Sequence, residues 1–145
     1  MVRVETVLAR LEALDQYLAE LEQLRHLRRD QFIDDLRNHR TAERDLQLAI
    51  QATIDVASHV VAADFSQRPT GYREVIQILG DEGVLPQDLA DRLAAAAGFR
   101  NILIHEYVDV DLDIVYDRLQ HGLDDFRQFS RCMVEYLRRS GALEG

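Results

Sequence analysis

The densest cluster of reactive polar side chains in this sequence lies at residues 98–107, which read GFRNILIHEY. Arginine offers a planar fork of N–H donors that matches two phosphate oxygens, and its charge stabilises a developing phosphorane. Histidine takes up or releases a proton near neutral pH. Arg100 and His105 therefore favour phosphoryl chemistry. RNA carries its own nucleophile, the 2′-hydroxyl, so such a pair can cleave RNA without a metal or a protein nucleophile.

Helical spacing decides which of these side chains can meet. At about 100° per residue, Asn101 and His105 lie on one face, so Asn101 can orient the imidazole by hydrogen bonding. Arg100 and His105 point about 140° apart, so they reach one ligand only if the helix distorts or a second chain adds its own copy. We expect Ile102–Ile104 to anchor this turn in the core. The purely structural alternative is that Arg100 caps a helix C-terminus and His105 packs against a neighbour.

The elements that position this segment are predicted to be helices, because apolar residues recur every three or four positions over nearly the whole chain. The one alternating stretch, residues 107–112, is too isolated to build a sheet. We predict an all-α fold, a single helical bundle of five to six helices over residues 1–145 with a frayed C-terminal tail. The first predicted helix begins at Val4, and the next two lie around residues 31–38 and over residues 42–63. The fourth lies between an N-cap at Thr70 and a C-cap at Gly80. The last two run from Gln87 to about Gly98 and from Asp113 to Gly141.

Composition excludes several classes of protein. Apolar residues make up 47% of the chain, which rules out global disorder. The single cysteine, Cys132, cannot form an internal disulfide and is expected to be a small core residue, so a cytoplasmic location fits. Unbroken apolar runs fall well short of the roughly 18 residues that cross a bilayer, and the first 14 residues lack a signal-peptide pattern. We therefore expect no membrane association.

Charge argues against general binding to nucleic acids. The 17 basic residues are all arginines, against 26 acidic residues, and the formal net charge is −9. Affinity for RNA comes largely from neutralising phosphates. Any contact with RNA must therefore be local, as at Arg100.

Other chemically suggestive patterns have simpler explanations. Residues 109–113 read DVDLD, which begins like a calcium loop, but positions six and twelve are Ile114 and Gln120 rather than glycine and glutamate. Asp113 is better explained as a helix N-cap. Asp55 and His59, four residues apart, are expected to form a buried hydrogen bond. Three histidines and a cluster of arginines are expected on the surface, at positions 26, 39 and 121 and at 25, 28, 29, 37, 40 and 44. The arginines can either track an RNA backbone or pair with nearby carboxylates. We predict no metal site.

The segment Arg100–Tyr107 resembles the R-x-x-x-x-H-x-Y signature of HepT-type toxins, which belong to the HEPN superfamily of all-α nucleotide-binding and ribonuclease domains. The likeness extends over about residues 40 to 125. Residues 46–59 resemble the central helix of that family, 72–74 and 83–86 its middle segment, and 110–116 the start of its last helix.

The resemblance implies a homodimeric, cytoplasmic ribonuclease that needs no metal or other cofactor, with two motifs facing each other across a cleft. Arg100 would hold the scissile phosphate of the RNA substrate, His105 would transfer protons, and Asn101 would orient His105. Tyr107 matches the tyrosine to which an MntA-like nucleotidyltransferase antitoxin transfers AMP. A second hypothesis is a non-catalytic helical subunit that binds a nucleotide or a nucleotidyltransferase partner.

Overall fold

The computed structural model describes residues 2–105 and 110–143, with the side chain of His105 outside the description. The prediction of an all-α fold is confirmed, and the described residues contain no strand. The predicted number of helices was too low, since seven are present in the described part of the chain. They are α1 (Val4–Arg25), α2 (Arg29–Asp34), α3 (Leu36–Val60), α4 (Tyr72–Asp81), α5 (Gln87–His105), α6 (Leu112–His121) and α7 (Leu123–Arg139).

Helix α3 is the centre of the bundle and packs against every other helix. It begins at Leu36, earlier than predicted, because the Asp35 carboxylate accepts a hydrogen bond from the backbone N–H of Arg37 at 2.9 Å. At its other end it continues as a π-helical turn, Val61–Phe65, which stops at Ser66 in a left-handed conformation with φ 50°. Buried side chains lie almost all round α3, as predicted for the most buried helix.

The apolar length of α3 has a structural explanation. The helical stretch Leu36–Phe65 is long and apolar enough to cross a membrane by length and composition alone. However, 56% of its most apolar window is buried inside the protein. The apolar side chains of this helix thus serve the core that the other helices share.

Helices α4 and α5 form an antiparallel hairpin, and its register determines which residues of the two helices meet. A Cβ atom placed on Gly80 would lie 2.7 Å from the Cβ of Ala90, so the two helices touch at this point. Gly80 was predicted to be a left-handed cap, and this was wrong because it lies inside α4. Gly83 has the left-handed φ of 76° instead. The Gly83 N–H bonds to the Gly80 carbonyl and the Val84 N–H to that of Leu79, a Schellman motif.

Two predicted N-caps are displaced by short-range hydrogen bonds. Gly71, rather than Thr70, is the N-cap of α4, and both the N–H and the hydroxyl of Thr70 donate to the Glu74 carboxylate at 2.8 Å. Asp111, rather than Asp113, caps α6 by accepting the Asp113 N–H at 2.9 Å. Asp113 instead pairs with Arg29, so its charge ties α6 to α2.

The predicted last helix is divided into α6 and α7 at Gly122. A Cβ on Gly122 would lie 2.8 Å from the carbonyl oxygen of Arg118, so the chain turns where only a glycine fits without adjustment. The end of α7 agrees with the sequence, because Gly141 follows it with a left-handed φ of 80°. Cys132 is half-buried against the core rather than within it.

Asp45 is the one carboxyl group buried in the core of the described residues, 5% exposed on the side of α3 that packs against α1. Its Oδ2 atom has no hydrogen-bond partner among those residues. Burial raises the pKa of Asp45 to about 7, and the neighbouring Glu20 carboxylate raises it as well, while the Arg44 charge opposes this. Asp45 is therefore protonated in the folded protein at mildly acidic pH.

Substituting Gly80 should destabilise the α4–α5 hairpin. Alanine has the better helix propensity by about 1 kcal/mol, but the new methyl group would collide with Ala90, and we expect a net loss of about 1–2 kcal/mol in Gly80→Ala. Urea unfolding of both forms measures this difference.

The matched control is Gly98→Ala on α5. There a Cβ would meet only the Arg73 guanidinium at 4.0 Å, which is ordinary van der Waals contact. This variant should be as stable as the wild type or more so. Equal unfolding free energies for the two alanine variants would contradict the close contact at Gly80.

Asp45→Asn should change how stability depends on pH. The folded state, with its pKa near 7, binds more protons than the unfolded state, with its ordinary pKa of 3.8, so wild-type stability falls as pH rises between these values. The Asp45→Asn variant has no such loss of stability, because asparagine does not ionise in this pH range. Relative to the variant, the free energy of unfolding of the wild type should fall by on the order of 3 kcal/mol between pH 4 and pH 8.

Urea unfolding at a series of pH values checks this expectation. Asp91→Asn, at an exposed position of α5, is the control and should follow the wild-type curve. Parallel curves for the wild type and Asp45→Asn would show that Asp45 ionises normally in the fold.

Candidate functional site

The described part of the motif segment, residues 100–105, lies within α5, which runs without interruption from Gln87 to His105. We predicted that this helix ends near Gly98, and that was wrong. A glycine in a helix interior costs only about 1 kcal/mol. On its C-terminal side Phe99 and Leu103 are 6% and 5% exposed and hold the helix onto the core. The motif is thereby presented on a rigid element.

Of the three apolar residues expected to anchor the motif, only Leu103 is fully buried. Ile104 is half-buried, and Ile102 is 39% exposed. The correction follows from helix geometry, because three consecutive residues span about 200° of the helix surface and cannot all face one core. Ile102 leaves an apolar side chain on the surface next to the polar residues of the motif.

Arg100 is half-buried, and its guanidinium group is held between two neighbours. Its central carbon lies 5.2 Å from the centre of the Tyr72 ring, in cation–π contact with the first turn of α4. Its Nη1 donates a long hydrogen bond of 3.5 Å to the Asn101 side-chain oxygen. Its Nε is buried without a partner among the described residues. The contacts with Tyr72 and Asn101 thus position the guanidinium group.

Asn101 is exposed and contacts Arg100 as described above. The predicted hydrogen bond from Asn101 to the His105 imidazole involves a side chain outside the described part of the structure. Tyr107 also lies outside the described residues. The roles of Asn101, His105 and Tyr107 therefore stay predictions. What the backbone establishes is that Asn101 and His105 are one helical turn apart on α5.

The regular course of α5 limits how Arg100 and His105 can act. Because the segment is helical through His105, positions 100 and 105 lie about 140° apart around the helix axis. Distortion of the helix, one of the two ways for them to converge, is not observed over these residues. The remaining way is for a second copy of the chain to bring its own motif opposite.

Sequence reasoning missed Tyr72 and Arg73, which lie at the N-terminus of α4 beside the motif. Tyr72 is 43% exposed and stacks on Arg100. The Arg73 guanidinium lies over Gly98, with three of its atoms 4.0 Å from the position of a Cβ on that glycine. The signal in the sequence was the α4–α5 hairpin itself, since residues equally far from its turn face each other across the pair.

The other candidate sites do not assemble. Asp55 accepts a hydrogen bond from Gln51 at 2.7 Å, and His59 Nε2 accepts one from the backbone N–H of Arg3 at 2.9 Å, so the predicted Asp55–His59 bond is absent. Within the described residues no group of three or more potential ligands is arranged to hold a metal ion. His59 thus joins α3 to the start of α1, whereas the bond of Asp55 lies within α3.

His39 also differs from the prediction. His26 and His121 are exposed as expected, but the His39 side chain is 13% exposed, bonds to Glu43 at 3.1 Å and packs edge-on against Phe32. It therefore helps to hold α2 on α3.

The arginine cluster near α2 is at least partly neutralised by carboxylates. Arg25 pairs with Glu22 at 3.5 Å, Arg28 pairs with Asp30 at 3.4 Å, and Arg29 pairs with Asp113. This supports the second interpretation, a solvated face with paired charges, for these three arginines. The other three arginines of the cluster, at positions 37, 40 and 44, take part in no ion pair among the described residues, and neither do Arg73 and Arg100.

A helical bundle that presents an R-x-x-x-x-H motif on a long core-packed helix is the architecture of a HEPN-type domain. The chain belongs to the HepT-like family, because the family model described as Ribonuclease HepT-like matches residues 14–133. The predicted family and its ribonuclease class are thus confirmed.

Two named relatives align with this chain. It is 30% identical over 139 residues to the tRNA nuclease HepT of Aphanizomenon flos-aquae, which covers 94% of this chain and 95% of that protein. It is 36% identical over 85 residues to the mRNA nuclease HepT of Shewanella oneidensis, covering 59% of this chain and 64% of that protein.

Solved structures share the same fold. A toxin–antitoxin crystal structure with AMP-PNP superposes with a TM-score of 0.84 at 26% identity, covering 90% of this chain and 98% of that one. A tri-AMPylated HEPN toxin of Shewanella oneidensis in complex with MNT antitoxin superposes at 0.82 and 27% identity, over 90% and 97% of the two chains. A cytosolic protein of unknown function from Bacillus subtilis, at 19% identity and a TM-score of 0.86, is similar in fold alone.

Proposed function

We propose that this chain, as a single HEPN-like domain over residues 1–145, is the toxin ribonuclease of a toxin–antitoxin pair and cleaves RNA without a metal ion. The observation that carries the proposal is the state of Arg100, whose guanidinium is held by Tyr72 and forms no ion pair with a described carboxylate. In an acidic protein, such a group is suited to one local phosphate. Relatives named as tRNA and mRNA nucleases support RNA as the substrate.

In the proposed reaction the RNA 2′-hydroxyl attacks the adjacent phosphorus and loses its proton to one His105. Arg100 stabilises the negative charge that gathers on the phosphorane oxygens. The bond to the 5′-oxygen breaks, and this oxygen takes a proton from the second His105. A homodimer supplies both histidines and brings Arg100 of one chain towards His105 of the other, as the 140° separation on α5 requires. Asn101 would hold the His105 ring in position.

Neutralisation would use Tyr107. A partner nucleotidyltransferase of the MntA type would transfer AMP from ATP to the phenol oxygen, forming an O–P bond as pyrophosphate leaves. The added negative charge beside Arg100 would repel the RNA backbone. A HEPN toxin with this fold, tri-AMPylated and in complex with MNT antitoxin, supports such control. Because both steps act on RNA and ATP, we place the protein in the cytoplasm.

Purified protein should cleave RNA in the presence of EDTA, and both His105→Ala and Arg100→Ala should lower the rate by about 100-fold or more. The first removes the proton carrier and the second removes the phosphate fork. Gel analysis of a labelled RNA measures the rates. The controls are His121→Ala and Arg10→Ala, at exposed positions of α6 and α1, which should cleave like the wild type.

Unchanged cleavage in His105→Ala would contradict the catalytic assignment. Mixing the wild type with an excess of His105→Ala tests the shared site, since a mixed dimer then holds only one of the two histidines that the reaction uses. Activity per wild-type chain should fall in the mixture. A wild-type protein that binds nucleotides or a nucleotidyltransferase but never cuts RNA would favour the non-catalytic subunit instead.

Tyr107→Phe should cut RNA like the wild type but escape neutralisation, because it lacks the phenol oxygen that accepts AMP. Incubation with the partner nucleotidyltransferase and ATP, followed by intact-mass measurement and the RNA assay, checks both outcomes. Tyr72→Phe, at an exposed tyrosine, is the matched control and should gain AMP normally. Wild-type AMP transfer to Tyr107→Phe would place the modification elsewhere.

A further inference from the structure

Tyr72 presents an aromatic ring directly beside the arginine that is proposed to hold the scissile phosphate. It is the first residue of α4, and the central carbon of the Arg100 guanidinium lies over its ring, 5.2 Å from the centre. The side chain is nevertheless 43% exposed. Because Arg100 covers one face, the exposed surface belongs mainly to the opposite face and the outer edge of the ring. One aromatic face is thus open to a ligand next to the guanidinium group.

The ring is carried by a well-anchored helix end. The backbone N–H and the hydroxyl of Thr70 both donate to the Glu74 carboxylate at 2.8 Å, which fixes the chain where it enters α4. Further along the helix, the close contact between Gly80 and Ala90 fixes α4 against α5. A ring that is already held in place loses little conformational entropy when a flat ligand stacks on it. Tyr72 is therefore preorganised for stacking.

The chemistry of RNA indicates which ligand suits this pair of side chains. Proteins bind single-stranded RNA by stacking its splayed bases on aromatic side chains and by placing positive charges along its backbone. In each nucleotide a single ribose joins the base to the phosphate. A ring in contact with the guanidinium that holds a phosphate is therefore within reach of a base on a flanking ribose. Stacking needs no positive charge, which suits a chain whose net charge is −9.

We propose that the open face of Tyr72 stacks on a nucleobase flanking the scissile phosphate, so that the site takes an RNA strand with an unpaired base at the point of cleavage. This rests on the proposed function, in which Arg100 holds that phosphate. Tyr72 then has two effects, because it contacts the base on one face and positions the Arg100 fork through the cation–π contact on the other.

The test uses a short RNA that spans a cleavage site mapped with the wild type, and two versions in which the nucleotide on one or the other side of the scissile bond lacks its base. For the wild type, one of the two abasic versions should have a kcat/KM about tenfold below that of the intact RNA, because the stacking of one base is lost. Tyr72→Leu should cleave the intact RNA more slowly and lose nothing further with that abasic version. Tyr72→Phe, which keeps the ring, should keep the wild-type preference for the intact RNA.

The ratio of kcat/KM for the intact RNA to that for the abasic version separates stacking from a structural role. Loss of the contact with Arg100, or a less stable fold, lowers cleavage of both RNAs and leaves the ratio unchanged. Leu36→Ala, at a large exposed apolar side chain at the start of α3, is the matched control and should keep both the wild-type rate and the wild-type ratio.

Fluorescence provides a direct readout of stacking. The chain contains no tryptophan, so Tyr72→Trp introduces a single fluorophore at this position. In the His105→Ala background, where RNA stays uncut, saturating intact RNA should quench the emission, and the sensitive abasic RNA should quench it much less. Leu36→Trp, at a side chain that is 59% exposed, should change little with either RNA. Equal quenching at the two positions would contradict stacking at Tyr72.

The outcomes distinguish this inference from the proposed function. If the wild type cleaves no RNA, the proposed function fails, and the fluorescence measurement alone then decides whether Tyr72 binds a base. If the wild type cleaves all three RNAs at similar rates, or Tyr72→Leu keeps the wild-type ratio, the stacking inference alone is overturned.

Two further results would overturn it by assigning Tyr72 to a contact between proteins. The first is a Tyr72→Leu variant that is monomeric in light scattering while the wild type is dimeric. The second is weaker binding of the nucleotidyltransferase by this variant with the wild-type ratio retained.

Discussion

The register of α4 against α5 is the constraint on which the geometry of the site depends. Where the two helices touch, there is no room for a methyl group between Gly80 and Ala90. The helices are antiparallel, so moving away from this contact pairs Arg73 with Gly98 and Tyr72 with Arg100. A slip of one residue would rotate α4 by about 100° and remove the ring from the guanidinium.

The distribution of paired charges explains how an acidic protein can act on RNA. Arg92 of α5 pairs with Asp88 of the same helix and bridges to α7 through Asp125, and Arg127 joins α7 to α1 through Glu22. These arginines hold helices together, and their charges are compensated locally. A strand of RNA meets an overall negative charge, so its docking depends on guanidinium groups, such as that of Arg100, that form no ion pair with a described carboxylate.

Features that depend on local periodicity could be predicted from the sequence. Features that depend on which of several neighbouring groups forms a hydrogen bond could not. Helix α3 was expected to be the most buried because apolar residues lie all round it. The cap of α6 was placed on Asp113, but Asp111 is also suitable, and pairing with Arg29 decides between them. The contact of Tyr72 with Arg100 joins positions far apart in the chain. It follows from packing at Gly80, which a single sequence does not reveal.

The regularity of α5 through His105 has a consequence for the concentration of protein that RNA cleavage needs. If each complete site draws Arg100 from one molecule and His105 from another, the number of sites follows the number of dimers. While dimers are scarce, their number grows with the square of the chain concentration. A few stray copies in a cell would then do little harm, and damage would begin steeply once synthesis passes a threshold.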